Sequence, residues 1–233
     1  MEEIKDLKQW LQENSDPKYR EFSSRLMPNI DAQTVLGVRM PLLRQLAGRL
    51  SQTQKEQFMR EVPHPWHEEN LLHVLLLNEI KEDQKAWKEY LRLQPFIKTW
   101  ALTDSLNLPA LSDEVLLERS LDMLKSQDSY VRRQGVIWIM KRGLQKKNAA
   151  ALALQALNVS CKEREVQLAL AWMLCEGVCK NRKVFLPFLL EQDIDVQVLG
   201  TAVSKCRDSL RVSREDVRML KAHLKDVKQK QQE

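Results

Sequence analysis

The chain has 233 residues, with 37 lysines and arginines against 32 aspartates and glutamates, which gives a formal net charge of +5. Hydrophobic residues make up 43% and charged residues 30%, a balance that is typical of a packed chain and excludes disorder as its main state. Only 6 glycines and 8 prolines are present. Because both residues interrupt helices, their scarcity favours helical structure.

Hydropathy and cysteine usage indicate in which cellular compartment the protein is expected. No apolar run approaches the roughly 18 residues that a membrane span requires, so we expect no contact with a membrane. Residues 1–8 are acidic and amphipathic, unlike a secretory signal peptide. The four cysteines lack the spacing of a disulfide framework. We therefore expect a cytoplasmic protein with reduced thiols at Cys161, Cys175, Cys179 and Cys206.

Apolar periodicity predicts helices along the whole chain and no strand of useful length. Proline, glycine and capping residues stand at the proposed joins, among them Pro17, Pro41, Pro109, Gly143 and Ser213. The predicted helices span residues 2–13, 17–27, 40–50, 53–61, 66–80, 83–92, 96–107, 112–125, 128–142, 146–157, 162–179, 182–191, 194–207 and 213–228.

A faint internal repeat occurs in the second half of the chain. Three similar segments begin at Val131, Val166 and Val196, at offsets of 35 and 30 residues, and an acidic residue precedes each valine by three positions. We expect Asp128, Glu163 and Asp193 to cap or complement the three helix starts. The period is close to that of two-helix HEAT-like repeats, whose hairpins bury their apolar faces against neighbours. The predicted fold is an all-α superhelix (solenoid) of HEAT-like helical hairpins, one domain over residues 1–233, with a concave basic channel.

Two tryptophans are candidates for chemistry. Trp100 and Asp104 are four residues apart and therefore project from one helix face, which offers an indole beside a carboxylate. The alternative is that Trp100 is a core residue and Asp104 a cap or salt-bridge partner. Trp172 lies midway along the helix that follows the Arg133 helix in the repeat. For Trp172, too, the alternative is that the side chain belongs to the hydrophobic core.

Basic residues point to a polyanionic partner. Arg132 and Arg133 open one helix, and Arg133 is a candidate phosphate ligand unless it is a solvated surface residue. Two further groups can concentrate a positive field that suits nucleic acid. The alternative is a solubilising surface. These groups comprise Arg39, Arg44 and Arg49 near the N-terminus, and Lys205, Arg207, Arg211, Arg214 and Arg218 near the C-terminus.

The sequence gives little support for a metal site, a nucleotide-binding loop or an acyl-transfer site. His64, His67 and His73 are irregularly spaced and no Glu-x-x-His or cysteine pattern completes a metal site. Cys175 and Cys179 are one turn apart without a second pair, so core thiols are favoured. Nucleotide-binding loops and acyl-transfer motifs are absent from the sequence, which argues against those chemistries. We expect neither a metal nor an organic cofactor.

Taken together, the motifs resemble AlkD-type DNA alkylation-repair proteins, which are HEAT-like repeat DNA glycosylases. The resemblance extends from about residue 19 to 225 with the order of motifs preserved. Residues 1–13 and those after 226 carry no family signature, and Trp138 looks peculiar to this chain. The resembling segments are residues 19–22, 26–28, 36–44, 100–104, 131–133, 169–172 and 204–213.

This resemblance implies an activity. Members of that family excise cationic N3- and N7-alkylated purines from duplex DNA by cleaving the N-glycosidic bond in base-excision repair, without a cofactor. Trp100 and Trp172 match the family's two tryptophans, Asp104 its carboxylate, and Arg133 the arginine that holds the DNA backbone. Arg132 is the alternative if the register differs by one residue.

Two other functions stay open at this point. One is a non-catalytic HEAT-like module that binds DNA through the same basic face, since a fold can be kept after an activity is lost. The other is a protein-binding solenoid, which has no chemical need for this Trp, Asp, Arg and Trp set. We expect a monomer, because polar terminal helices close such a stack.

Overall fold

The computed structural model describes residues 6–159 and 162–231. These residues form fourteen α-helices and two short 3-10 turns, with no β-strand among them, so the all-α prediction is confirmed. Residues 2–5 of the first predicted helix, and Cys161, lie outside the described residues. The helices are α1 (Leu7–Glu13), α2 (Pro17–Arg25), α3 (Met40–Arg49), α4 (Gln52–Arg60), α5 (His67–Leu77), α6 (Asp83–Leu93), α7 (Trp100–Ser105), α8 (Asp113–Met123), α9 (Ser129–Arg142), α10 (Ala149–Leu157), α11 (Arg164–Lys180), α12 (Arg182–Glu191), α13 (Val196–Asp208) and α14 (Arg214–Lys230).

The caps of the three repeated helices differ from one another. The Asp128 side chain accepts hydrogen bonds from the first backbone amides of α9, as predicted. Glu163 occupies the same position before α11, but its side chain makes no capping bond and pairs with Arg132 instead. The cap of α13 is Asp195, so the prediction for Asp193 is wrong. A shift of two residues in the helix start accounts for this difference.

The predicted helix over residues 96–107 is wrong at both ends. A 3-10 turn occupies Gln94–Phe96, and Thr99 then caps a short α7. At the other end, the Asn78 side-chain oxygen accepts the backbone N–H groups of Asn107 and Leu108. Leu108 has a positive φ of 42°. The chain leaves the helix because Asn78, on another segment, supplies the hydrogen bond that a further helical turn would have supplied.

The chain forms two compact units, Met1–Ser112 and Asp113–Glu233. In the first unit, α5 packs against α3, α4, α6 and α7. It is buried on all sides, including at Glu68 and His73, which are 2% and 0% exposed. A helix that is apolar on most faces is typical of a position at the centre of a core. The single domain over residues 1–233 stays a prediction.

In the second unit, helices pack in the manner of a helical repeat. The three repeated helices lie side by side, α9 against α11 and α11 against α13, while α10, α12 and α14 pack behind them. Their shared core includes Ile137, Ala169 and Leu199. The internal repeat read from the sequence therefore corresponds to structurally equivalent helices in this unit.

One glycine shows how closely these helices approach. A Cβ at Gly177 of α11 would lie 2.3 Å from the Phe185 Cδ1 atom of α12. No side chain fits at that distance, so glycine at this position permits the α11–α12 hairpin to close. As for membranes, none of the described helices combines the length and the apolarity that a span needs.

Candidate functional site

The first unit contains a cavity of about 220 Å³, which we call the Trp100 cavity. Side chains of α2, α5 and α7 form most of its wall. No lysine or arginine is among the described residues that line it. The residues that matter for its chemistry are Tyr19, Phe22, His67, Glu68, Trp100 and Asp104.

Trp100 and Asp104 both line this cavity from α7, as their four-residue spacing predicts. The Trp100 side chain is not core, since it is 39% exposed. Its indole N–H donates to the Leu26 carbonyl at 3.0 Å. This bond fixes the orientation of the ring. The Asp104 carboxylate accepts a hydrogen bond from the Thr103 hydroxyl at 3.3 Å.

A second carboxylate in the cavity wall was missed from the sequence. Glu68 is 2% exposed and accepts the backbone N–H groups of Leu36 at 2.9 Å and Gly37 at 2.7 Å. Gly37 has a φ of +88°, and a Cβ there would lie 2.5 Å from the Asp16 carbonyl oxygen. Glu68 thus anchors the loop that precedes α3. The signal that could have revealed it is an acidic pair, Glu68-Glu69, at the start of an otherwise apolar helix.

The first unit also holds three buried histidines. The His64 and His73 rings bond to each other at 2.8 Å, and His73 reaches the Glu89 carboxylate at 3.0 Å. Burial, with a contribution from His73, lowers the pKa of His64 to about 3. Burial alone lowers the pKa of His67 to about 4. Both imidazoles are therefore neutral at physiological pH.

These shifts predict that acid weakens the fold. Below about pH 6.5 the unfolded chain binds a proton at His64 that the folded chain excludes down to about pH 3. The stability from this group is complete above pH 6.5 and falls by about 1.4 kcal/mol for each pH unit below it. Urea unfolding between pH 7 and 5 measures the slope. His64→Phe is expected to lower the slope by the His64 contribution and to leave that of His67, whose pKa is also lowered. Equal slopes in both proteins would contradict this origin.

In the second unit, Arg132 and Arg133 are 6% and 4% exposed, so neither is a solvated surface arginine. The Arg132 guanidinium donates to the Ser126 carbonyl at 2.7 Å and pairs with Glu163 at 2.6 Å. Arg132 therefore ties two interhelical loops together. The Arg133 guanidinium donates to the Glu165 carbonyl at 2.6 Å, which joins α9 to the start of α11.

Trp172 lies midway along α11, as predicted. It is partly buried and packs against the apolar core of the second unit. One side of this tryptophan therefore contributes to packing while part of it stays accessible. Trp172 and Arg133 lie on helices that pack directly against each other.

The basic residues near the N-terminus differ in their partners. Arg39 pairs with Asp16 at 2.8 Å and lies over the Tyr19 ring, 4.6 Å from its centroid. Its guanidinium lowers the pKa of Asp16. Arg44 is exposed on α3 and forms no ion pair with any described residue. Arg49 is partly buried.

Near the C-terminus, two of the predicted DNA-binding arginines are engaged by carboxylates. Arg207 pairs with Asp208 at 2.8 Å, and Arg211 pairs with Glu176. The Arg211 hydrogen bond is the main cause that lowers the pKa of Glu176. Lys205 is partly buried at the end of α13. Part of the positive charge counted from the sequence is thus compensated locally.

The thiols of the second unit behave as core residues. Cys175 and Cys206 are buried, Cys179 is partly buried, and all three are free. A hydrogen bond with Cys206, together with burial, raises the pKa of Cys175. A raised pKa disfavours the reactive thiolate. This agrees with the core role that was predicted for Cys175 and Cys179.

The sequence that forms this site was also compared with known proteins and protein families. Among curated proteins, no relative matches the chain. The family model described as DNA alkylation repair enzyme matches residues 7–207. This span includes both carboxylates of the Trp100 cavity, the two tryptophans Trp100 and Trp172, and Arg133. The chain therefore belongs to the DNA alkylation repair enzyme family.

Proposed function

We propose that this member of the family is a DNA glycosylase that hydrolyses the N-glycosidic bond of cationic N3- and N7-alkylated purines in duplex DNA. The observation that carries the proposal is the composition of the Trp100 cavity. Aromatic rings and two carboxylates line it, and its described lining contains no lysine or arginine. Such a surface suits a planar cation.

The chemistry of the lesion explains the choice of residues. An alkylated purine carries a positive charge, which an indole face attracts by about 0.5 to 2 kcal/mol. As the glycosidic bond breaks, positive charge develops on the sugar. A carboxylate beside it stabilises an oxocarbenium-like transition state and orients the attacking water.

The proposal gives each residue a role. Asp104 is the carboxylate beside the sugar, and Trp100 is the indole that faces the cationic nucleotide. Trp172, in the second unit, keeps the role of the second tryptophan that the family resemblance implies. Arg133 holds the DNA backbone, with Arg132 as the alternative. Phosphate contacts of this kind position the duplex without reading its sequence. The remaining proposed backbone contacts are Arg39, Arg44, Lys205, Arg207 and Arg211.

Release of 7-methylguanine and 3-methyladenine from methylated duplex DNA, under single-turnover conditions, tests the proposal. We expect both bases to be released by the wild-type protein without added metal. Binding of the duplex with no release would contradict the proposal and favour the non-catalytic DNA-binding alternative.

Arg133→Ala is expected to weaken duplex binding and to make it less sensitive to salt. Loss of one phosphate contact lowers the slope of log affinity against log salt by about 0.9. Arg132→Ala tests the alternative assignment, because Arg132 is the neighbouring arginine and is held by acceptors in two loops. A reduced slope in Arg132→Ala, with the wild-type slope in Arg133→Ala, would assign the backbone contact to Arg132. An unchanged slope in Arg133→Ala would remove Arg133 from the backbone contact.

A further inference from the structure

Helix α14 carries a row of basic side chains along one face. They recur at alternating intervals of four and three residues, so they lie within about 80° of one another around the helix axis. All of them are exposed, and none forms an ion pair with a described residue. We call this row the α14 basic stripe, and its members are Arg214, Arg218, Lys221, Lys225 and Lys228.

The apolar face of α14 is occupied by the protein itself. Leu220 is 0% exposed, and Val217 and Leu224 pack against the core of the second unit. The helix contacts α12 and α13. A helix that lies on a membrane needs its apolar face free to enter the lipid. The packing of α14 therefore leaves its charged face as the surface for a partner, and that partner is not a bilayer.

The acidic residues of α14 do not neutralise the stripe. Asp216 is 1% exposed, and Arg182 of α12 donates two hydrogen bonds to its carboxylate, at 2.7 and 2.6 Å. Glu215 and Asp226 lie at least about 60° around the helix from the nearest member of the stripe. Like charges three or four residues apart destabilise a helix. A polyanion alongside the stripe would relieve that repulsion.

The dimensions of the stripe suit the phosphate backbone of DNA. From Arg214 to Lys228 the helix rises roughly 21 Å. One strand of a duplex carries a phosphate about every 3.4 Å along its axis, so a straight row of cations can follow several phosphates in succession. The stripe also lies outside residues 7–207, which the family model matches. Its place in the chain is therefore separate from that of the Trp100 cavity and Arg133.

We propose that the α14 basic stripe is a further phosphate-binding surface, which holds undamaged and damaged duplex DNA alike. Contacts of this kind fix the position of a duplex and raise its affinity without reading bases. The inference rests on the duplex binding within the proposed function and does not depend on excision.

Neutralising the middle of the stripe tests the inference. The variant combines Arg218→Gln, Lys221→Gln and Lys225→Gln, and its binding to an unmodified duplex is measured by fluorescence anisotropy over a range of salt concentrations. We expect weaker binding and a slope of log affinity against log salt lower by up to about 2.7, since each lost phosphate contact removes about 0.9. We expect the melting temperature to stay at the wild-type value or to rise, because the three side chains are exposed and repel one another.

Two controls separate position from charge. The position control removes the same charge from exposed lysines on three other segments, by Lys88→Gln, Lys147→Gln and Lys183→Gln. The charge control keeps the stripe positive, by Arg218→Lys, Lys221→Arg and Lys225→Arg. We expect the slope of both controls to stay close to that of the wild-type protein. A position control whose slope falls as far as that of the glutamine variant would overturn the inference.

The remaining outcomes distinguish this inference from the proposed function. If the wild-type protein excises bases and the glutamine variant keeps the wild-type slope, the stripe contact fails and the glycosylase stands. If the wild-type protein excises no base and the slope of the variant falls, the glycosylase fails and the stripe contact stands. Absence of both duplex binding and excision would overturn both. Loss of binding to phosphatidylserine vesicles with an unchanged duplex slope would assign the stripe to a membrane and overturn the inference.

Discussion

Asp104→Asn is expected to lower the single-turnover rate of 7-methylguanine release by about 100- to 1000-fold, the range for loss of one electrostatic group at a developing charge. The substitution removes the negative charge and nearly preserves the shape of the side chain. The asparagine oxygen can still accept the hydrogen bond that the Thr103 hydroxyl gives to Asp104. The fold and the duplex contacts are therefore expected to persist, with affinity unchanged or higher.

The control for Asp104→Asn is a charge change outside the cavity. Asp122→Asn removes one negative charge from α8, where Asp122 is exposed and pairs with Lys125. We expect this control to excise at the wild-type rate, which shows that net charge alone does not determine activity. Full excision by Asp104→Asn would mean that another group stabilises the transition state, and Glu68 is then the next carboxylate to substitute.

Trp138→Ala is expected to destabilise the protein by about 3 to 5 kcal/mol, the usual cost of removing a buried aromatic side chain. Trp138 is 0% exposed and is among the largest fully buried side chains of the described chain. It lies on α9, which packs against α8 and α11. In a chain of this size the loss corresponds to a melting temperature lower by about 6 to 20 °C.

Thermal and urea unfolding of the full chain measure this effect. Trp138→Phe is the matched control, because it keeps an aromatic ring and leaves a smaller void, so we expect a smaller loss. Trp172→Ala offers a second comparison. Trp172 is only partly buried, so we expect its substitution to lower excision of cationic bases more than it lowers stability. A Trp138→Ala protein with the wild-type midpoint would show that the space around α9 repacks.

Much of the architecture was predictable because helices are determined locally. The scarcity of glycine and proline, the 3.6-residue periodicity and the capping residues act over a few positions of the chain. The repeat at Val131, Val166 and Val196 was readable for the same reason, since equivalent helices with equivalent neighbours need similar apolar faces. The shared face of Trp100 and Asp104 also follows from local spacing.

At the end of α7 and at Glu68, where the predictions were wrong or incomplete, a distant residue decided the outcome. The Asn78 side chain ends α7 from another segment of the chain. The backbone amides that hold Glu68 lie about thirty positions before it in the sequence. The Glu68-Glu69 pair before an apolar helix is a local signal, but no local pattern states that the Leu36–Gly37 amides meet the Glu68 carboxylate.

The sequence by itself determined the helical class, most helix positions and the repeat, together with the residue types that resemble a DNA alkylation-repair protein. Only the tertiary structure decided which of those side chains share a cavity, which arginines are already paired, and that burial keeps the His64 and His67 imidazoles neutral. The physical reason is the distance along the chain over which each kind of interaction acts. Caps and periodicity act within one or two helical turns, whereas the Trp100 cavity combines side chains from Tyr19 to Asp104 whose burial and charge depend on how distant helices pack.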